Sequence, residues 1–113
     1  MKFDVPIEIH DLLSSVRAKQ ERGKPYCVYG SGDSTNASLD TICYLSLYPE
    51  ISDDYEENYP DFVSANRFEL WYRDELVQDV VENALHQLPE ISDARLLEAI
   101  KYYVDRDCFI ELP

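Results

Sequence analysis

Between Pro25 and Asn66 the chain has no lysine and no arginine, yet this stretch carries Asp33, Asp40, Glu50, Asp53, Asp54, Glu56, Glu57 and Asp61. Uncompensated negative charge opposes compaction, so a concentrated patch must either stay hydrated or meet a cationic partner. The formal charge of -13 is unevenly placed. Residues 1–24 are nearly balanced, residues 25–66 hold those eight acids alone, and residues 67–113 are again acidic. Direct binding to nucleic-acid phosphate is disfavoured, because such affinity comes mainly from lysine and arginine displacing counterions.

Other absences narrow the classes further. No apolar run approaches the ~18 residues of a membrane span, and no basic-plus-apolar leader precedes Pro6, so the expectation is a cytoplasmic chain with no membrane partner. Cys27, Cys43 and Cys108 are an odd number with no CxxC spacing, as free thiols in a reducing compartment would be. Cys27 (YCVY) and Cys43 (TICYL) lie in apolar runs, where cysteine behaves as a small buried hydrophobe. HExxH, GxSxG and P-loop patterns are missing.

What remains is enough for a folded domain. A chain of 113 residues with 45% hydrophobic and 12% aromatic content is read as one domain over residues 1–113. At this length about 65% of the unfolded chain's surface can be buried. Phe3, Val5, Ile7 and Ile9 share one parity and suit a short strand, which Pro6 restricts to an edge. Ile9, Leu12, Leu13 and Val16 recur at helical spacing, predicting a helix that stops at Gly23, with Lys19, Arg22 and Lys24 near its end. Tyr26–Tyr29 and Thr41–Leu47 read as paired strands joined by a long loop.

Pro49 and Pro60 bracket a segment expected to be an exposed connection. Beyond it, Phe62–Asn66 reads as a helical turn and Phe68–Tyr72 as a further strand. Leu76, Val77, Val80, Val81, Ala84, Leu85 and Leu88 make one apolar face of a helix stopped by Pro89, and Ser92 is the expected N-cap of another. CFIEL at the C-terminus is expected to be a final strand. Helices and strands therefore fall in blocks, predicting an α+β fold: a small, mainly antiparallel sheet covered on one face by about three helices.

Catalytic candidates are few. His10 and His86 are each isolated from any cysteine or second histidine in sequence and are read as surface or structural groups, although a cleft joining His86 to carboxylates would count toward a small enzyme. GSGDS at Gly30–Ser34 has neither GxGxxG spacing nor a terminal Lys-Ser/Thr pair and is read as a plain loop. Asp53, Asp54, Glu56 and Glu57 lack the glycine of a calcium loop, so neither metal nor cofactor is expected. Trp71 is read as a packing residue.

The acidic segment itself is the candidate site. Carboxylates alone would serve solubility, whereas tyrosine adds amphipathic contact area at low entropy cost. Asp53, Asp54, Tyr55, Glu56, Glu57, Tyr59 and Asp61 are assigned as partner-binding, with Tyr48, Tyr55 and Tyr59 as anchors and arginine or lysine on the facing surface.

The C-terminal stretch from Ala84 to Ile110, ALHQLPEISDARLLEAIKYYVDRDCFI, joins two helices through Pro89, ends the second in Tyr102-Tyr103, and closes on Asp107, Phe109 and Ile110. In this it resembles small acidic bacterial immunity proteins of contact-dependent growth inhibition and related toxin systems. The resemblance implies a non-enzymatic protein that neutralises a cognate toxin, often a nuclease, and the acidic surface points to a basic toxin domain. Those proteins share no binding signature, so no residue role carries over. The alternative is a regulatory adaptor docking on another basic protein.

Overall fold

The computed structural model describes residues 2–18 and 25–113. Strands run over Pro6–Glu8 (β1), Cys27–Gly30 (β2), Ile42–Ser46 (β3), Glu50–Ile51 (β4), Glu57–Asn58 (β5) and Glu69–Arg73 (β6). Helices run over Ile9–Arg17 (α1), Asp61–Ala65 (α2), Asp74–Gln87 (α3) and Asp93–Arg106 (α4). The fold is α+β, and the main sheet is antiparallel throughout, in the order β1-β3-β2-β6. The expected helix stop at Gly23, with Lys19, Arg22 and Lys24, lies outside the described residues.

Period-two alternation explains how the sheet divides its side chains. Val28, Cys43, Leu45 and Tyr72 face the helices and join Leu12 and Leu13 of α1, Val77 and Val81 of α3, and Leu96 and Ile100 of α4. Their neighbours Cys27, Tyr29 and Leu70 face the other way and pack with Val63, Tyr48 and Phe68. On that second face Tyr44 stacks on Phe68 with ring centroids 4.6 Å apart, and Phe62 closes the group. The expectation of a sheet covered on one face is therefore corrected. Short α2 carries Val63 and Phe62 onto the second face, adding a fourth helix to the three long ones.

Trp71 breaks the alternation. It and Tyr72 both pack on the helix side, which consecutive strand residues achieve at a β-bulge. The register between β2 and β6 shifts between Val28 and Tyr29 and leaves Trp71 as the extra residue. Its indole Nε1–H donates to Gly32 O at 2.9 Å, and its six-membered ring lies where a side chain on Gly30 would stand.

α4 begins at Ser92, whose Oγ accepts from Arg95 N at 3.2 Å, as the sequence predicts. Arg17 ties α1 to this start through Asp93 at 2.9 Å and the carbonyl of Ile91. The loop after β2 is held from within and from α4: Asp33 accepts from the amide and the hydroxyl of Thr35, which hold its carboxyl below the ordinary range, and Lys101 of α4 clasps the carbonyls of Thr35 and Ala37.

CFIEL is not a strand. Ile110 and Leu112 pack on the core as a strand would, but their backbone partner is one side chain. Gln87 donates to Ile110 O and accepts from Leu112 N, each at 2.9 Å. An amide side chain offers the same donor–acceptor pair as a peptide unit, so it stands in for a neighbouring strand.

All three cysteines are free, with Cys27 and Cys43 buried and Cys108 exposed. Burial pushes the Cys27 thiol up to about 11 and that of Cys43 up to about 12. Because the thiolate is the reactive form, the native protein at pH 8 should react rapidly at Cys108 alone, and the unfolded protein at all three. A chromogenic disulfide reagent checks this, and fast reaction of a buried thiol in the native state would contradict the packing. Among the described residues, no helix is long and apolar enough to cross a membrane.

Candidate functional site

The segment between Pro49 and Pro60 contains a hairpin rather than only an exposed connection. β4 and β5 pair antiparallel, Glu50 with Asn58 and Ile51 with Glu57. The turn is closed by Ser52, which bonds to Tyr55 and Glu56: Tyr55 N donates to Ser52 O and Ser52 N to Glu56 O, both at 2.9 Å. Ser52 Oγ adds an acceptor for Glu56 N at 3.2 Å. Tight closure forces Tyr55 into the left-handed region at φ 63°, where a β-carbon is disfavoured.

Asp53, Asp54 and Glu56 ride on this turn, Glu57 belongs to β5, and Asp61 opens α2. These five and Glu50 are exposed, and among the described residues none forms an ion pair. Their potential is left to solvent and whatever approaches. They also do not converge as ligands: among the described residues, the group whose ligand atoms lie within 4.8 Å of one another is Glu8, His10 and Asp11. His10 Nε2 lies 3.2 Å from Asp11 and 3.8 Å from Glu8 on an exposed surface, contacts that neighbouring side chains at a helix start make without an ion between them.

The three expected anchors divide. Tyr55 is 89% exposed. Tyr59 is half engaged: its edge meets Tyr29 at 6.2 Å and 87°, and its hydroxyl donates to Glu57 at 2.6 Å. That hydrogen bond is the first cause raising the Tyr59 phenol above its ordinary value, and the bond holds the Glu57 carboxylate in place. Tyr48 is turned inward, donating to Asp74 while the Arg73 guanidinium sits 5.8 Å from its ring. Its role is to fix the root of the hairpin.

Two residues that sequence reasoning did not assign also belong to the surface. Leu47 is 61% exposed and Ile51 59% exposed, where apolar residues at strand ends would be expected to enter the core. Leu47, Tyr59 and Asp61 line a notch where the hairpin meets the sheet. The surface thus combines charge with accessible apolar area, as protein-binding patches do.

His86 does stand beside carboxylates. It shares an open depression with Asp79, Glu82 and Asn83 on one face of α3, together with Leu85 and Phe109. That juxtaposition follows from helical spacing, and among the described residues no hydroxyl or thiol lines it to serve as an activated nucleophile. A family model described as a domain of unknown function (DUF7716) matches residues 6–112. No curated protein and no solved structure matches the chain.

Proposed function

We propose that this chain, which belongs to the DUF7716 family, is a non-enzymatic binding module that captures a basic protein domain on its acidic hairpin. The observation that carries the reading is Tyr55. A large ring is held 89% exposed at a backbone position that disfavours side chains, amid carboxylates that form no ion pair among the described residues. The fold gains nothing from that ring, whereas a partner's cationic surface gains contact area, cation–π attraction and charge-assisted hydrogen bonds.

The finer reading is an immunity protein of the cytoplasm that neutralises a basic toxin domain, a nuclease being the favoured case. It rests on the resemblance of residues 84–110 and on a physical match. Carboxylates arrayed on a hairpin imitate the phosphates that a nuclease grips. Long-range attraction would raise association from a neutral level of about 10^5–10^6 toward 10^8 M^-1 s^-1.

Wild-type protein and a variant carrying Asp54→Lys with Glu57→Lys, used in parallel as baits in an extract of the source organism, test the reading. A basic partner should be retained by the first and lost from the second. In kinetics with that partner, charge reversal should slow association several-fold. Tyr55→Ala should act mainly on dissociation, weakening binding by about 2 kcal/mol. Unchanged binding by all variants, with circular dichroism intact, would reduce the hairpin to a solvated loop. A partner that is not a toxin would favour the adaptor alternative.

A further inference from the structure

We propose that the outer edge of β6 and the groove beside it form a second binding surface, separate from the hairpin, which takes an extended lysine- or arginine-bearing peptide segment by strand addition. The two edges of the main sheet differ. β1 is three residues long and starts at Pro6, which has no amide hydrogen to offer a further strand. β6 is five residues long, contains no proline, and among the described residues pairs with β2 alone. Its outward-facing backbone groups are those that strand addition uses.

Beside this edge lies a groove of about 430 Å³ between β6 and the helices. Leu76 of α3 and Tyr103 and Val104 of α4 give it an apolar wall, Val104 being 44% exposed. A strand laid along β6 would turn alternate side chains toward that wall. The bulge at Trp71 limits how long a regular ladder can run, so the wall must supply much of the affinity.

Charge selects the occupant. Glu75, Asp79 and Asp107 line the groove, and Glu69 is exposed on the strand. Arg73 is the one basic residue among the lining, and its guanidinium lies over Tyr48, which packs on the opposite face of the sheet. Among the described residues the groove therefore presents three carboxylates to one cation, which is engaged with Tyr48. A second copy of this chain would bring like charges together, whereas a peptide alternating apolar and cationic residues satisfies both wall and rim.

The probe is a capped peptide of alternating valine and lysine, about eight residues long, added to isotope-labelled full-length protein. Amide shifts should concentrate in residues 69–73, with intermolecular backbone contacts typical of an added strand. Val104→Ser, a neutral change at an exposed position, should weaken binding about fivefold, and Asp79→Asn by a similar factor. The same peptide with prolines replacing alternate valines keeps its charge and should bind far more weakly. The double lysine variant of the hairpin should retain binding, whatever becomes of the hairpin's own partner. Absence of binding, equal binding of the proline peptide, shifts confined to residues 50–58, or self-association through β6 seen by light scattering would each overturn the proposal.

Discussion

Replacing Gly30 with alanine should lower the unfolding free energy by about 1–3 kcal/mol, as overpacking of a well-filled site does. An added Cβ would stand 2.3 Å from Cη2 and Cζ2 of Trp71 and 2.5 Å from Cε2. The indole has little room to retreat, because it is buried and tethered to Gly32 O. Trp71→Ala should be worse still, at about 3–5 kcal/mol, the usual consequence of emptying a large aromatic site. The decisive comparison is Gly30→Ala in a Trp71→Phe background. Phenylalanine lacks the outer ring that meets the new methyl, so the second substitution should be tolerated better there than in the wild type. Urea midpoints of the four proteins measure the coupling. A neutral Gly30→Ala in the wild type would mean that the indole is not seated over β2.

Asp74→Ala should destabilise by about 3 kcal/mol, since hydrogen bonds to a charged group are strong and their orphaned donors are expensive to bury. Asp74 opens α3 at the end of β6 and is itself buried. Its carboxylate accepts from the Tyr48 hydroxyl and from Glu75 N at 2.8 Å, with Tyr26 N at a longer 3.4 Å. Burial and the hydrogen bond to Asp74 also push the Tyr48 phenol well above its ordinary range, so the hydroxyl stays a donor. Tyr48→Phe should lose about 1 kcal/mol, and the double variant should be less destabilised than the two losses summed. Strict additivity in chemical denaturation would show that the two groups act independently.

The elements that the chain declares openly are those with at least one buried face. α3 and α4 repeat apolar residues at helical spacing because that stripe meets the sheet. β2 and β3 are short β-branched and aromatic runs because both their faces are covered. The β4–β5 hairpin declares nothing: both faces of Glu50–Ile51 and Glu57–Asn58 meet solvent, so no alternation is imposed. The tail misleads for the opposite reason. Ile110 and Leu112 are apolar for packing, while their backbone bonds go to Gln87, a pairing that no local pattern encodes. At the candidate site the accumulation of charge is plain in composition, and so is the suitability of tyrosine. Which tyrosine faces outward is not, because Tyr48 is drawn inward by Asp74, far along the chain.

The hairpin ladder has two residue pairs and borrows no ion pair from the described core. With so little burial, it can come apart while the sheet and long helices stay intact, as small, solvent-exposed cooperative units do. Its amides should thus exchange with solvent through local opening, orders of magnitude faster than those of β2 and β3. Any partner that docks there must also order what it binds, so part of its interaction energy goes into stiffening residues 50–58 and the rest into holding on.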